Sequence, residues 1–97
     1  MKRTVDYVGD LAALVRSRGG TGSDYSVAKL LNISGARISN YRRGRYGFDD
    51  ALAIRAAQIL DLSPAEVLAN CHAERAKDDA VRLAWEKVAA DYRETAA

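Results

Sequence analysis

The sequence predicts an all-α protein built as a bundle of five or six helices, and two observations lead to this prediction. Apolar residues recur at spacings of three and four, which is the periodicity of one helix face. The 97 residues include a single proline and no alternating run of β-branched residues of the kind that marks strands. A chain of this length can fold around one core but leaves little room for an enzyme cleft.

The first predicted helix begins at a Thr4 cap and continues to about Arg18, and it ends at Gly19 and Gly20. Threonine is a favoured N-cap residue, whereas glycine disfavours the continuation of a helix. The apolar residues on one face of this helix are Val5, Val8, Leu11, Ala12 and Val15. The glycine-rich loop that follows lacks the lysine and the preceding strand of a nucleotide-binding loop.

The second and third predicted helices are short and follow each other closely. Ser23 caps the second helix, and its first residue, Asp24, suits the positive end of the helix dipole. Ser34 caps the third helix, which covers residues 35–43 and stops at Gly44. These start and stop signals predict two helices joined by a turn of a few residues.

The fourth and fifth helices are predicted from their first residues. Phe48 precedes an Asp49 cap, which opens the fourth helix. The apolar residues that this helix turns inward are Leu52, Ala56, Ile59 and Leu60. Ser63 and Glu66 form a capping box at the start of the fifth helix, with Pro64 at its first position.

The last predicted helix is capped by Asp78 or Asp79, continues through Arg93 and carries an apolar stripe. The members of the stripe are spaced 4-3-4 and are Val81, Trp85, Val88 and Tyr92. Two interpretations of the stripe stay open. It is either a dimer interface, for which a large aromatic side chain is a natural anchor, or a surface that packs onto the protein's own bundle.

The stretch DYSVAKLLNISGARISNYRR, from Asp24 to Arg43, matches the twenty-position pattern of a helix-turn-helix that reads DNA. Ala28 stands where the backbones of the two helices approach and only a small side chain fits. Asn32 stands at the sharp turn, where asparagine tolerates a left-handed backbone. The apolar positions of the pattern are Val27, Leu31, Ile33, Ile38 and Tyr41. The alternative is an ordinary helical hairpin.

The net charge of +2 conceals a difference between the two halves of the chain. Residues 1–48 contain nine Lys and Arg and three Asp, a net charge of +6, whereas residues 49–97 contain six positive and ten negative side chains, a net charge of −4. A basic half that contains the helix-turn-helix pattern is expected to face the phosphates of DNA.

From Val5 to Leu68 the chain resembles the repressor/Cro-type (lambda-repressor-like) helix-turn-helix domain of bacteria and their phages. The segment from Ser23 to Ala69, together with the later stretch ERAKDDAVRLAW, also resembles small phage-related regulators that share an ERA…W tail. The resemblance implies operator binding and transcriptional repression, generally by a dimer. We accordingly divide the chain into a DNA-binding domain over residues 1–70 and a C-terminal helical extension over residues 71–97. Asp24 departs from the family, since many members carry a phosphate-contacting glutamine there, and this contact is not carried over.

The third helix is predicted to read bases in the major groove with its N-terminal residues. Ala36 offers a methyl group to thymine, Arg37 is suited to guanine and Asn40 to adenine. Ser39 is suited to contact either a base or a phosphate. Tyr41 is expected in the core. The residues predicted to contact phosphate are Ser23, Ser34, Arg42, Arg43, Arg45 and Tyr46.

Other chemistry is not expected. Cys71 and His72 are neighbours on a helix, so their side chains point about 100° apart and cannot act as nucleophile and base. Cys71 is predicted to be a small buried hydrophobe. We expect no enzyme activity, metal, cofactor or small-molecule ligand. The lone cysteine and the absence of an apolar membrane-spanning or signal segment predict a cytoplasmic protein. The resemblance to regulators of bacteria and their phages implies that the cell is bacterial or phage-infected.

The sequence therefore favours a DNA-binding transcriptional regulator whose partners are a double-stranded operator and a second copy of the chain. Two alternatives stay open. One is the antitoxin of a toxin–antitoxin pair, whose tail would bind a toxin. The other is a helix-turn-helix module that binds only proteins, which salt dependence would distinguish from a DNA binder.

Overall fold

The computed structural model describes the backbone of residues 1–95 and the side chains of residues 1–93. All regular elements in this part of the chain are helices, which confirms the all-α prediction. The six helices are α1 (Thr4–Ser17), α2 (Asp24–Leu31), α3 (Gly35–Arg42), α4 (Asp50–Leu60), α5 (Pro64–Arg75) and α6 (Asp79–Thr95). None of these six helices combines the length and the apolarity that crossing a membrane requires.

Four helices begin at the cap residues that the sequence predicts. The side chains of Ser23, Ser34, Asp49 and Ser63 each accept a hydrogen bond from the backbone N–H three residues later. Such a cap stabilises a helix by about 1 kcal/mol, because it satisfies a donor that has no partner within the helix. The first residues of α2 to α5 are therefore determined by local sequence.

The predicted cap at Thr4 is wrong, because α1 begins after Arg3 and Thr4 lies inside its first turn. The Thr4 hydroxyl is buried, donates to Glu74 Oε1 at 2.7 Å and accepts from the Phe48 N–H at 2.9 Å. This one hydroxyl therefore joins α1 to α5 and to the segment that precedes α4. Its tertiary partners, rather than the end of its own helix, determine its position.

The inward face of α1 also differs from the predicted one at its first turn. Val5 is 39% exposed, whereas Tyr7 is fully buried. The Tyr7 hydroxyl accepts a hydrogen bond from Asn70 Nδ2 of α5 at 2.8 Å. Burial raises the pKa of Tyr7 to about 12, so the phenol stays neutral at ordinary pH.

The core lies between α1 and the next four helices, α2 to α5. Its largest fully buried apolar side chains come from α1, α2, α3, the α3–α4 loop and α5, and they include Tyr7, Leu11, Leu31, Ile38, Phe48 and Val67. Cys71 is buried on α5, as predicted, and burial raises the pKa of its thiol to about 11. Helix α5 is continuous across the predicted domain boundary between residues 70 and 71, so the extension consists of its end together with α6.

Candidate nucleic-acid interface

Helices α2 and α3 are joined by a three-residue turn, residues 32–34. Asn32 has φ 58° and ψ 48°, the left-handed conformation that the sequence predicts for it. Ala28 is buried beside the turn. The apolar positions of the twenty-residue pattern are also removed from solvent; Val27, Leu31, Ile38 and Tyr41 are buried and Ile33 is half-buried against the core.

Helix α3 buries one face and presents the opposite face to solvent. Ile38 and Tyr41 are its buried side chains. At 100° per residue, the opposite face is formed by Ala36, Ser39, Asn40 and Arg43. Ala36 and Arg43 are exposed, and Ser39 and Asn40 are half-buried. We call these four residues the outer face of α3; its side chains are small, polar or cationic.

Arg37 lies at the side of α3 rather than on its outer face. Its Nη2 donates to the Tyr41 hydroxyl at 2.7 Å, and the same nitrogen lies 3.5 Å from Asp49 Oδ2. The hydrogen bond to Tyr41 is the main reason that the pKa of Arg37 is raised. The guanidinium is thus directed along the helix towards the start of α4 in the free protein.

Asn40 is at the centre of a hydrogen-bonded cluster on the outer face. Its Oδ1 accepts from Arg45 Nη1 at 3.1 Å, and its Nδ2 donates to the Tyr46 hydroxyl at 2.9 Å. The Tyr46 ring lies edge-on to Tyr41, with ring centres 5.3 Å apart, and Tyr41 contacts Phe48 in the same way at 5.0 Å. An aromatic ladder therefore connects the Asn40 cluster to the core.

Arg42, predicted to contact phosphate, is held by a carboxylate of its own chain. Its Nε and Nη2 donate to the two carboxylate oxygens of Asp24, each at 2.7 Å. This bidentate pair is the geometry in which a guanidinium would also bind a phosphate. It joins the first residue of α2 to the last residue of α3, and it raises the pKa of Arg42.

The remaining predicted phosphate contacts differ in how their polar groups are used. The Arg43 side chain is exposed, and it makes no hydrogen bond or ion pair with the described residues. Ser34 uses an oxygen lone pair as the cap of α3, which leaves its hydroxyl proton available as a donor. The Ser23 hydroxyl caps α2 and also lies 2.9 Å from the Ser26 hydroxyl.

The apolar stripe of α6 is divided between the protein's own bundle and solvent. Trp85 is half-buried and stacks on His72 of α5, with ring centres 4.6 Å apart. Val88 is also half-buried, whereas Val81 and Tyr92 are 48% and 46% exposed. Part of the stripe therefore packs internally, and an exposed apolar edge remains beside it.

No protein-family model matches the chain, and comparison with curated proteins and with solved structures gives no match either. No group of three or more side chains suited to holding a metal ion occurs among the described residues.

Proposed function

We propose that this protein is a sequence-specific DNA-binding transcriptional regulator of the repressor/Cro type, which inserts α3 into the major groove. The observation that carries the proposal is the outer face of α3. The outer face contains no bulky apolar or acidic side chain. Ile38 and Tyr41, on the opposite face of the same helix, are buried and anchor α3 in the core. A short, rigidly held helix with small and polar side chains can approach base edges closely.

The charges around α3 support the same proposal. Arg43 and Arg45 are exposed near the end of the helix, and Arg37 lies along its side. Phosphate contacts from such cations supply affinity and determine how the helix lies on the duplex, while base contacts supply specificity. Two carboxylates beside α3, Asp24 and Asp49, are already paired with Arg42 and Arg37.

Selection from a random pool of duplex DNA tests the proposal. The purified protein should enrich one short sequence, and the logarithm of its affinity for that sequence should fall linearly with the logarithm of salt concentration. Ala36 and Ser39 should determine part of the enriched sequence, so replacing them should change it. If the folded protein enriches no sequence from the pool, the proposal is contradicted and the protein-interaction module is favoured.

The Asp24–Arg42 pair gives a first prediction. Asp24→Asn removes the carboxylate that occupies the Arg42 guanidinium and frees this cation for a phosphate. Affinity should therefore rise for all DNA sequences alike, and the salt dependence should steepen by about one further phosphate contact. Equilibrium binding at several salt concentrations measures both quantities.

Asp79→Asn is the matched control, because it makes the same charge change at an aspartate that pairs with Arg82 at 2.8 Å on α6. It should leave the salt dependence unchanged. Equal slopes for Asp24→Asn and the wild type would contradict an available phosphate contact at Arg42.

We further propose that two copies associate through the exposed edge of the α6 stripe, formed by Val81 and Tyr92 beside the half-buried Val88. A single helix-turn-helix contacts few base pairs, whereas two contact enough to select one site. Their recognition helices would lie about 34–36 Å apart, so the selected sequence should be an inverted repeat.

Val81→Asp is expected to shift the protein from dimer to monomer while preserving its helical content, because the side chain is on the exposed edge. Leu83→Asp is the matched control; Leu83 is 57% exposed but points about 160° away around the helix. Sedimentation at matched concentrations compares the two variants. A wild-type chain that stays monomeric at high concentration and on its DNA would refute the dimer.

A further inference from the structure

We infer that Arg45 is a specificity-determining residue that reads a guanine, and that Asn40 positions it rather than reading adenine itself. This inference rests on the proposed DNA-binding function and revises the roles predicted for both residues. It begins from the hydrogen bonds of the Asn40 amide.

Both ends of the Asn40 amide are occupied. A guanidinium has only donors, so the amide atom that faces Arg45 must be the oxygen, and the nitrogen must face Tyr46. Bidentate recognition of adenine needs the same oxygen and the same nitrogen. Asn40 would therefore have to break two hydrogen bonds before it could read that base.

Arg45 is held beside Asn40 by its backbone as well as by its side chain. Gly44 has φ +73° and ends α3, and the Arg45 N–H then donates to the Asn40 carbonyl at 3.1 Å. The Gly44 N–H donates to the Tyr41 carbonyl at 3.1 Å. These two bonds form a Schellman motif, which returns the chain alongside the last turn of the helix.

The Arg45 guanidinium keeps enough donors for a base. Only Nη1 donates to Asn40, and no other hydrogen bond or ion pair of this side chain occurs within the described residues. The remaining N–H groups can form the two parallel hydrogen bonds with guanine O6 and N7 that are the commonest specific contact in the major groove. Because Asn40 already orients the Arg45 guanidinium, the side chain loses less conformational entropy when it binds a base.

The location of the cluster is compatible with reading bases. Asn40 lies on the outer face of α3, about 6 Å along the helix axis from Ala36, whereas the major groove is about 12 Å wide. Tyr46 supports the arrangement from the other side, because its ring contacts Tyr41 and its hydroxyl holds the Asn40 amide. The cluster therefore presents the Arg45 guanidinium from a rigid support.

The test compares the DNA sequences selected by the wild type, Arg45→Lys, Asn40→Ala and the double variant. Lysine keeps the charge but cannot form the bidentate fork. Arg45→Lys and Asn40→Ala should relax the preference at the same guanine, each by about 5- to 150-fold, and the double variant should add little to either. Arg43→Ala is the comparison, and it should weaken binding to all sequences alike.

Three results would overturn the inference. If Asn40→Ala relaxes the preference for an adenine and Arg45→Lys leaves that preference intact, Asn40 is the residue that reads the base. If Arg45→Lys leaves the selected sequence unchanged, Arg45 is a phosphate contact. A folded wild type that selects no sequence would refute the proposed function as well, so the two failures are distinguishable.

Discussion

Phe48→Ala is expected to lower the free energy of unfolding by about 3–5 kcal/mol, a large part of the total stability of a domain of this size. Phe48 is fully buried, and its ring contacts the edge of Tyr41. Its backbone N–H donates to Thr4, and its carbonyl accepts from Arg75 Nη1. The substitution leaves a cavity in the core beside the Tyr41 ring of α3, and denaturant unfolding measures the loss.

Phe48→Leu provides the control for this prediction, because it keeps an apolar side chain and leaves a smaller cavity. It should cost clearly less than the alanine variant. Tyr41 and Tyr46 form the aromatic ladder above Phe48, so Phe48→Ala should also weaken DNA binding at temperatures where the protein remains folded. Equal stability of Phe48→Ala and the wild type would contradict the position assigned to this ring.

Ala36→Glu should reduce DNA affinity at least about 100-fold without lowering the stability of the fold. The Ala36 side chain is exposed on the outer face of α3, one turn from Asn40. A carboxylate there would meet base acceptors and nearby phosphates in the groove, and such like-charge contacts cost several kcal/mol. Acidic residues suit the first turn of a helix, so folding should be unaffected.

The matched variant is Ala80→Glu, which makes the same change at an exposed alanine in the first turn of α6. It changes the net charge equally, and its effect on DNA affinity should be limited to a weak long-range repulsion. If both variants weaken binding equally, net charge rather than the outer face of α3 controls affinity.

The local features of the fold could be predicted from the sequence. Cap residues such as Ser34 and Asp49 act on backbone groups three residues away, and the left-handed turn at Asn32 depends on that residue's own conformational tolerance. The buried positions of α2 and α3 follow from helical periodicity. These effects depend on neighbours in sequence, which one chain is sufficient to reveal.

Features that depend on distant partners could not be predicted in this way. The sequence predicts Thr4 as a helix cap, because its actual partner, Glu74, lies seventy residues later in the chain. Arg42 and Asp24 are eighteen residues apart, and their pairing depends on how α2 and α3 cross. Periodicity assigns residues to a helix face, but it does not determine which long polar side chains meet across two elements.

The spacing of Arg37 and Tyr41 contained a signal that could have been used. Residues four apart on a helix are neighbours, so a hydrogen bond between this guanidinium and this phenol was predictable before the fold was known. The link between Asn40 and Arg45 was less accessible. It requires the chain reversal at Gly44, whose detailed geometry the sequence only suggests.

The most direct test of the central claim is the ratio of two dissociation constants at physiological salt. One is measured for the DNA duplex that the protein selects, and the other for a duplex of the same composition in scrambled order. If α3 reads bases in the major groove, the selected duplex should bind at least about 1,000-fold more tightly. A ratio of the two dissociation constants near one, for a protein that is folded in solution, would contradict sequence-specific recognition.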